Sequence, residues 1–428
     1  MRDGPRWQTI IDLLDQTFND RVPADLAIRR WSKSARFAGS KDRRFIGDNL
    51  FDIFRQLGAL KFQLAEAGGD INSARQIALL AAGAGAKELF DGSQHAPAAV
   101  SDNEGALLEK ALAVEVPAEQ AMALPDWAQA HFAASFGGDD AWRAEATALL
   151  SPASVDLRLR SAKDDRDDML KTLGARGVDV DATPISPLGL RISGRFAAGD
   201  VPELNDGQLE IQDEASQLCA LLVDAQPKMQ VLDLCAGAGG KTLAMAGQMA
   251  GQGRLLAVDA DDHKLEEGRR RVKRARWPHI ELLHADALTA PEDALAGDWD
   301  RVLVDAPCSG SGTWRRAPDA RWRMDADDLD ALVELQGKLL DRAASLVKPG
   351  GLLCYVTCSM LSVENNQQIQ SFMNRSSDFS VVDFDASWAA IFEDGEIPAV
   401  HRQEAGWMMT PALNGTDGFY MAVLKREA

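Results

Sequence analysis

The sequence predicts an α/β protein: a doubly wound, mainly parallel sheet, preceded by a small α+β module and a helical N-terminal region. Three observations carry this reading. Apolar strands at 230–234, 255–258, 281–283, 301–304 and 351–356 alternate with helical stretches. That alternation implies a parallel sheet, with ligands at the carboxyl ends of its strands. From about residue 150 to 225 the apolar period shortens to two, with one helical stretch between. This is the β-α-β-β texture of a small mixed module. The first ninety residues show helical spacing alone.

The elements follow in order. Ile10, Leu13, Leu14 and Phe18 share one helical face, and Leu50, Phe51, Ile53 and Phe54 repeat the pattern. Pro23 opens a further helix, where its missing N–H costs nothing. Residues 92–126, rich in Ala, Glu and Pro, read as an acidic linker or loosely packed helices. In the module, Val155, Leu157 and Leu159 alternate as a strand, and 164–175 is a helix that Gly177 stops. Leu188, Leu190 and Ile192 alternate again, as do Leu209 and Ile211, and Ser216 to Ala225 form a helix leading out. The expected domains are 1–145, 146–225 and 226–428.

Composition narrows the class. With 428 residues, 46% hydrophobic and 26% charged, the chain is ordinary globular protein, long enough to bury a core unaided. The longest weakly polar run, Ile77 to Ala86, is far short of a membrane span, and the first residues lack the apolar core of a secretory signal. Five cysteines without zinc spacing read as reduced thiols in a cytosol. The net charge of −19 speaks against nucleic acid, but it is uneven. Residues 1–50 hold ten Lys/Arg against seven Asp/Glu, and 269–276 read Arg-Arg-Arg-Val-Lys-Arg-Ala-Arg. Trp314 and Trp322 lie among Arg315, Arg316, Arg321 and Arg323, so they are candidates either for stacking on bases or for the core. A local basic face can bind phosphate within an acidic total, because salt screens distant charge.

Four motifs fall at strand ends. Val231-Leu-Asp-Leu-Cys-Ala-Gly-Ala-Gly-Gly-Lys-Thr242 is a strand, a glycine-rich turn and a helix start, which together offer free N–H groups to a ligand. It is too short for a P-loop. Asp259 ends the next strand, where an acid can accept both ribose hydroxyls, and Asp286 ends the third, where it can meet an adenine amine. Either acid alone reads as a helix cap; together they favour an adenosyl ligand. Arg301-Val-Leu-Val-Asp-Ala-Pro-Cys-Ser-Gly-Ser-Gly312 puts Asp305 at a strand end and Cys308 in the turn after it. Gly350-Gly-Leu-Leu-Cys-Tyr-Val-Thr-Cys-Ser359 ends at Cys358. Cys219 and Cys354 read as small buried hydrophobes and Cys235 as pocket lining. Cys308 and Cys358, two thiols at one sheet edge, point to chemistry.

These residues resemble the RNA cytosine-C5 methyltransferases of the RsmB/Nol/Nop/Sun group, above all its bacterial small-subunit rRNA branch. Leu124-Pro-Asp-Trp127, Gln212-Asp-Glu-Ala-Ser216, the glycine turn, Asp305-Ala-Pro-Cys308, Thr357-Cys358 and Thr416-Asp-Gly-Phe-Tyr420 all carry the likeness, which covers nearly everything from about residue 125. Arg36-Phe-Ala-Gly-Ser-Lys-Asp-Arg-Arg44 looks like a NusB-type RNA-binding domain. The resemblance implies a Rossmann-like class I methyltransferase domain with a mainly parallel seven-stranded sheet, behind an RRM-like module and a NusB-like domain. It implies S-adenosylmethionine held by Cys235, Ala236, Gly237, Ala238, Gly239, Gly240 and Lys241, with Asp259 on ribose, Asp286 near adenine and Asp305 near the reacting centre. Gly237-Ala238 stands where the family usually has Ala-Pro, and Arg160 where it commonly has Asn.

The implied chemistry is addition of the Cys358 thiolate to C6 of cytosine, which makes C5 nucleophilic. Asp305 then hydrogen-bonds N3 and the amine, Lys241 or the cofactor's sulfonium lowers the pKa of Cys358, and Cys308 assists loss of the C5 proton and release. The implied partner is RNA, 16S rRNA first, acted on by a cytoplasmic monomer without metal or membrane. Alternatives are a tRNA enzyme, a non-catalytic RNA-binding assembly factor on the same fold, and an amine methyltransferase. Asp-Ala-Pro-Cys in place of Asn/Asp-Pro-Pro-Tyr disfavours the last.

Overall fold

A computed structural model describes residues 1–194, 196–392 and 396–428, with the backbone alone at Asp139. The chain forms two compact units, residues 1–152 with 314–326 and residues 153–313 with 327–428. The first boundary falls at 152, the module and the sheet domain are one unit, and a short segment after the Cys308 turn joins the first. Among the described residues no helix is long and apolar enough to cross a membrane.

The first unit is helical. Asp3–Asn19, Ala24–Ser34, Ser40–Ala67 and Ala74–Ala82 enclose a core that includes Ile10, Leu13, Leu14, Leu50, Ile53 and Phe54. The linker reading of 92–126 does not hold. Asp102–Leu112 is a helix opened by a Ser101–Glu104 capping box, and it buries Leu108 and Ala111 in this core. Only two core residues on an alanine-rich face leave too faint a period to read. Of the two readings of Trp314 and Trp322, the structure bears out the core. Trp314 is fully buried against Trp127 and Phe132, at centroid distances of 6.0 and 5.8 Å, with the buried Arg321 over its ring. Trp322 packs on the helical core and donates its indole N–H to the Phe54 carbonyl at 2.9 Å. Neither ring is free to stack on a base.

The second unit begins with the module, whose strands are β1 (Val155–Leu159), β2 (Val180–Ala182), β3 (Gly189–Ile192) and β4 (Leu209–Ile211), paired antiparallel in the order β2-β3-β1-β4. Strand β2, only three residues long, is too short to show alternation and was not expected. The large sheet holds β5 (Gln230–Asp233), β6 (Arg254–Asp259), β7 (Ile280–His284), β8 (Trp299–Asp305), β9 (Val347–Thr357), β10 (Phe379–Val381), β11 (His401–Gln403), β12 (Gly406–Met409) and β13 (Phe419–Arg426). Its order is β11-β12-β13-β9-β8-β5-β6-β7, with β10 paired to β13. Among the described residues the sheet therefore has nine strands where seven were expected, because the short β10 and β11 add to its antiparallel side. Strands β5 to β9 are mutually parallel, and the order reverses on either side of β5. That reversal opens a crevice at the carboxyl ends of β5 and β8.

The Gln212-Asp-Glu-Ala-Ser216 motif ties the module to the sheet. Asp213 caps the helix Glu214–Leu221 and accepts the Asp417 amide at 3.0 Å, while Glu214 accepts the amides of Ile185 and Ser186 at 2.6 and 2.8 Å. Most of the basic run 269–276 is used up internally. Arg271 and Arg274 both bind the buried Glu210 of β4, and Arg269 and Arg270 pair with Asp262, Glu266 and Glu267. Arg271 and Arg274 thus clamp their helix to β4, while Arg269 and Arg270 pair along the same helix and stay exposed.

Gly312 illustrates how closely the loops at the sheet edge approach. Its N–H donates to the Cys358 carbonyl at 3.0 Å, and its own carbonyl accepts the Gly418 amide at 2.9 Å. A Cβ on Gly312 would overlap the Gly418 backbone. Gly312→Ala is therefore expected to cost about 1–3 kcal/mol of stability. A lower denaturant midpoint at unchanged slope checks this, and an unmoved midpoint refutes the contact.

Candidate active site

At the carboxyl ends of β5, β6 and β7 lies a cleft of about 680 Å³, within the range of small-ligand sites. Cys235, Asp259 and Asp286, three of the expected residues, line it. Asp261, Lys264 and His284, which sequence reasoning did not single out, line it too, with Pro307, Leu335 and Leu339 forming an apolar wall. Gly237 and Gly239 have φ of 56° and 81°, a region that side chains with a Cβ rarely adopt. This bends the chain between β5 and the helix Gly240–Gln248; of the expected turn only Cys235 lines the cleft, and Ala236 to Lys241 do not.

The turn is fixed from two sides. The Gly237 N–H donates to Asp259 Oδ2 at 2.7 Å, and Arg271 donates to the Ala238 carbonyl at 2.9 Å. That arginine holds the segment that lacks the usual proline. Asp259 Oδ1 also accepts the Asp261 amide at 2.8 Å. Each carboxylate oxygen keeps a lone pair, so Asp259 retains capacity for ligand hydroxyls. Asp286 accepts the Leu288 amide at 2.9 Å and otherwise faces solvent at the cleft. The carboxylate acceptors and the apolar wall fit a nucleoside-bearing ligand. Under the turn, burial pushes Asp233 up to about 7, with the Thr242 hydroxyl donating to it at 2.6 Å.

The reactive groups gather where β8 and β9 end. These strands are parallel neighbours, with Asp305 opposite Val356. Residues fifty positions apart thereby meet: Cys308 Sγ and Cys358 Sγ lie 3.4 Å apart. Lys241 Nζ donates to Asp305 Oδ2 at 2.7 Å and stands 4.7 Å from the centre of the Phe419 ring. Burial works against the lysine's charge, but the Asp305 carboxylate outweighs it and lifts the Lys241 pKa above its ordinary value. Its hydrogen bond with Cys358, together with burial, pushes the Cys308 thiol well up. Cys219 and Cys354 are fully buried in the sheet core, as expected. Two further groups were missed. Glu364 lies in a stretch, Ser362-Val-Glu-Asn-Asn366, that reads as plain polar loop, and Gln336, on the helix Ala326–Leu346, donates to it beside the Cys308 turn.

Comparison with known proteins agrees with this geometry. Residues 220–425 match the family model described as 16S rRNA methyltransferase RsmB/F. The ribosomal RNA small subunit methyltransferase B of Pseudomonas syringae pv. tomato is 33% identical over 307 residues, 71% of this chain and 66% of that protein. The chain matches only 59% to 66% of the length of such curated relatives. A crystal structure of a methyltransferase homolog protein from Pyrococcus horikoshii is 26% identical, with a TM-score of 0.58 over 69% of this chain and 93% of that one. The crystal structure of a protein named PH0851 shares the fold over 100% of this chain and 99% of its own, with a TM-score of 0.79 at 24% identity. On these matches the chain belongs to the 16S rRNA methyltransferase RsmB/F family.

Proposed function

We propose that this protein methylates C5 of a cytosine in RNA, with 16S rRNA as substrate and S-adenosylmethionine as methyl donor. The observation that carries the reading is the contact of Cys308 and Cys358 at the sheet edge, in the same site as the Lys241–Asp305 pair. Cytosine C5 is too weak a nucleophile to attack a methyl sulfonium unaided, and a neighbouring thiolate overcomes this by adding at C6. Bound in the cleft, S-adenosylmethionine supplies an electrophilic methyl group. The turn from Cys235 to Lys241 would hold it, with Asp259 accepting from ribose hydroxyls and Asp286 from the adenine amine.

In this reading Cys358 Sγ forms the bond to C6. Asp305 brings to N3 the proton that addition requires, takes it back after methyl transfer and accepts a hydrogen bond from the exocyclic amine, and Lys241 keeps Asp305 in place. Cys308 removes the C5 proton after transfer. The Cys358–C6 bond then breaks and returns its electron pair to sulfur. The target must be unpaired or flipped, because C6 is out of reach within a helix.

We read the helical unit as a NusB-like RNA-binding domain. In the segment that carries that likeness, Phe37 is 75% exposed, and around it in the sequence Arg30, Lys33, Arg36, Lys41 and Arg43 are exposed without a carboxylate partner among the described residues. An exposed ring among free cations suits an unpaired base and its phosphates. Phe37→Ala with Arg36→Ala is expected to weaken RNA binding roughly tenfold or more and to reduce its salt slope by about one. Unchanged affinity across salt concentrations would remove this surface from the reading.

The direct test is to incubate the protein with 16S rRNA and labelled S-adenosylmethionine and to map 5-methylcytosine. Wild type is expected to mark a defined cytosine and Cys358→Ala none. Label entering tRNA instead selects the tRNA enzyme. Cofactor binding with no transfer to either RNA selects the assembly factor.

A further inference from the structure

One buried carboxylate in the site has no part in the reaction proposed above. Glu364, in the turn Ser362–Glu364 that follows β9, is fully buried, and no cation pairs with it among the described residues. Neutral donors surround it. Oε1 accepts the Ser309 N–H at 2.8 Å and Gln336 Nε2 at 3.0 Å. Oε2 accepts the hydroxyls of Ser309, at 2.5 Å, and of Ser359. Ser309 directly follows Cys308, and Ser359 directly follows Cys358. One carboxylate therefore bonds both thiol-bearing turns. The link is reinforced on each side: Ser311 Oγ lies 3.1 Å from Ser359 Oγ, Tyr355 donates to the Glu364 carbonyl at 2.7 Å, and Asn365 donates to the Ser359 carbonyl at 2.9 Å.

A buried anion is costly, so its retention calls for a use. We propose that Glu364 is a positioning residue that staples the Cys308 turn to the Cys358 turn and keeps Cys308 a neutral thiol, so that of two touching sulfurs only Cys358 is free to become the nucleophile. This rests on the methyltransferase reading. The charges are divided accordingly. Glu364 holds Ser309, the residue next to Cys308, and its charge adds to the Cys358 contact and burial in disfavouring a Cys308 thiolate, whereas the Lys241 ammonium interacts with Cys358. A second negative charge at Cys308 would sit against the carboxylate; at Cys358 it would meet the lysine.

The test needs neither RNA nor methyl transfer. In protein carrying Cys358→Ser, iodoacetamide labelling of Cys308 is followed by peptide mass spectrometry from pH 6 to 10, with and without Glu364→Gln. The amide keeps the shape and removes the charge. The labelling profile should move to lower pH, with Cys308 about tenfold faster at pH 8 and Cys235 unchanged. An unmoved Cys308 profile overturns the proposal. Should the glutamine variant not fold, Glu364→Asp in otherwise native protein keeps the charge but shortens the staple. Diamide coupling of Cys308 to Cys358 should then slow at least fivefold, and coupling at the native rate overturns the staple. A shifted profile in a protein that methylates no RNA would count against the methyltransferase reading and leave the staple standing.

Discussion

Cys308→Ala protein mixed with 16S rRNA and S-adenosylmethionine is expected to accumulate a covalent protein–RNA complex that survives a denaturing gel. The two sulfurs touch at 3.4 Å, so whichever attacks the base leaves the other within reach of the same ring. The Cys308 thiol is held well above its ordinary pKa first by its hydrogen bond with Cys358, then by burial. Once Cys358 is bonded to carbon that hydrogen bond is gone, so the Cys308 thiol gives up its own proton to solvent more readily and its thiolate is the base. It can take the C5 proton at that stage and not earlier. Alanine at 308 removes the base after the adduct has formed, so the adduct persists. The slow band should disappear in the Cys308→Ala/Cys358→Ala double variant, and Cys358→Ala alone should neither trap nor methylate. A band from Cys358→Ala and none from Cys308→Ala would exchange the two roles. No band from either, with active wild type, would exclude a covalent route through these thiols.

How much of this was legible in the sequence depends on the range of the interactions. The five parallel strands could be read because each is a continuous apolar run whose signal is local. The nearness of Cys308 and Cys358 followed from their shared place at strand ends, since parallel neighbours bring equivalent ends together. Features set by long-range pairing could not be read. Strands β10 and β11 are three residues each and exist because β13 and β12 offer edges to pair with. The arginines from 269 onward looked like an RNA face, yet Glu210, some sixty residues earlier, takes two of them. Trp314 looked available for a base until Trp127 and Phe132 closed over it. Glu364 was invisible for the same reason: its four donors come from three separate stretches of chain.

The motif residues divide along a similar line. The glycine turn, Asp259 and Asp286 declared themselves by position at successive strand ends, and the cleft does form there. The Gln212-Asp-Glu-Ala-Ser216 motif, familiar as a signature, has a structural task. Its acids accept backbone N–H groups from Ile185, Ser186 and Asp417, and so join the module and the sheet into one unit. A signature in sequence thus marks what the fold needs as well as what the reaction needs, and only the hydrogen-bond partners separate the two.

Asp305→Asn is expected to lower the methylation rate by roughly 10²–10⁴-fold, the range for losing a proton-handling group. Asp305 is also the partner that keeps Lys241 charged. The lysine side chain is 8% exposed, and burial alone would depress its pKa; the carboxylate 2.7 Å away reverses that. The sign for stability follows. A lysine whose folded pKa is raised contributes stability that is fully present below its unfolded pKa of about 10.4 and lost as pH rises through the folded value. The stability gap between wild type and Asp305→Asn should therefore be flat from about pH 7 to 9 and close only in strong alkali. Calorimetric affinity for S-adenosylmethionine separates the two tasks of Asp305. If it acts on the base, affinity should change by a few-fold at most while single-turnover transfer collapses. If affinity and rate fall in the same proportion, Asp305 serves only to anchor Lys241, and proton handling at the cytosine must be assigned to another group.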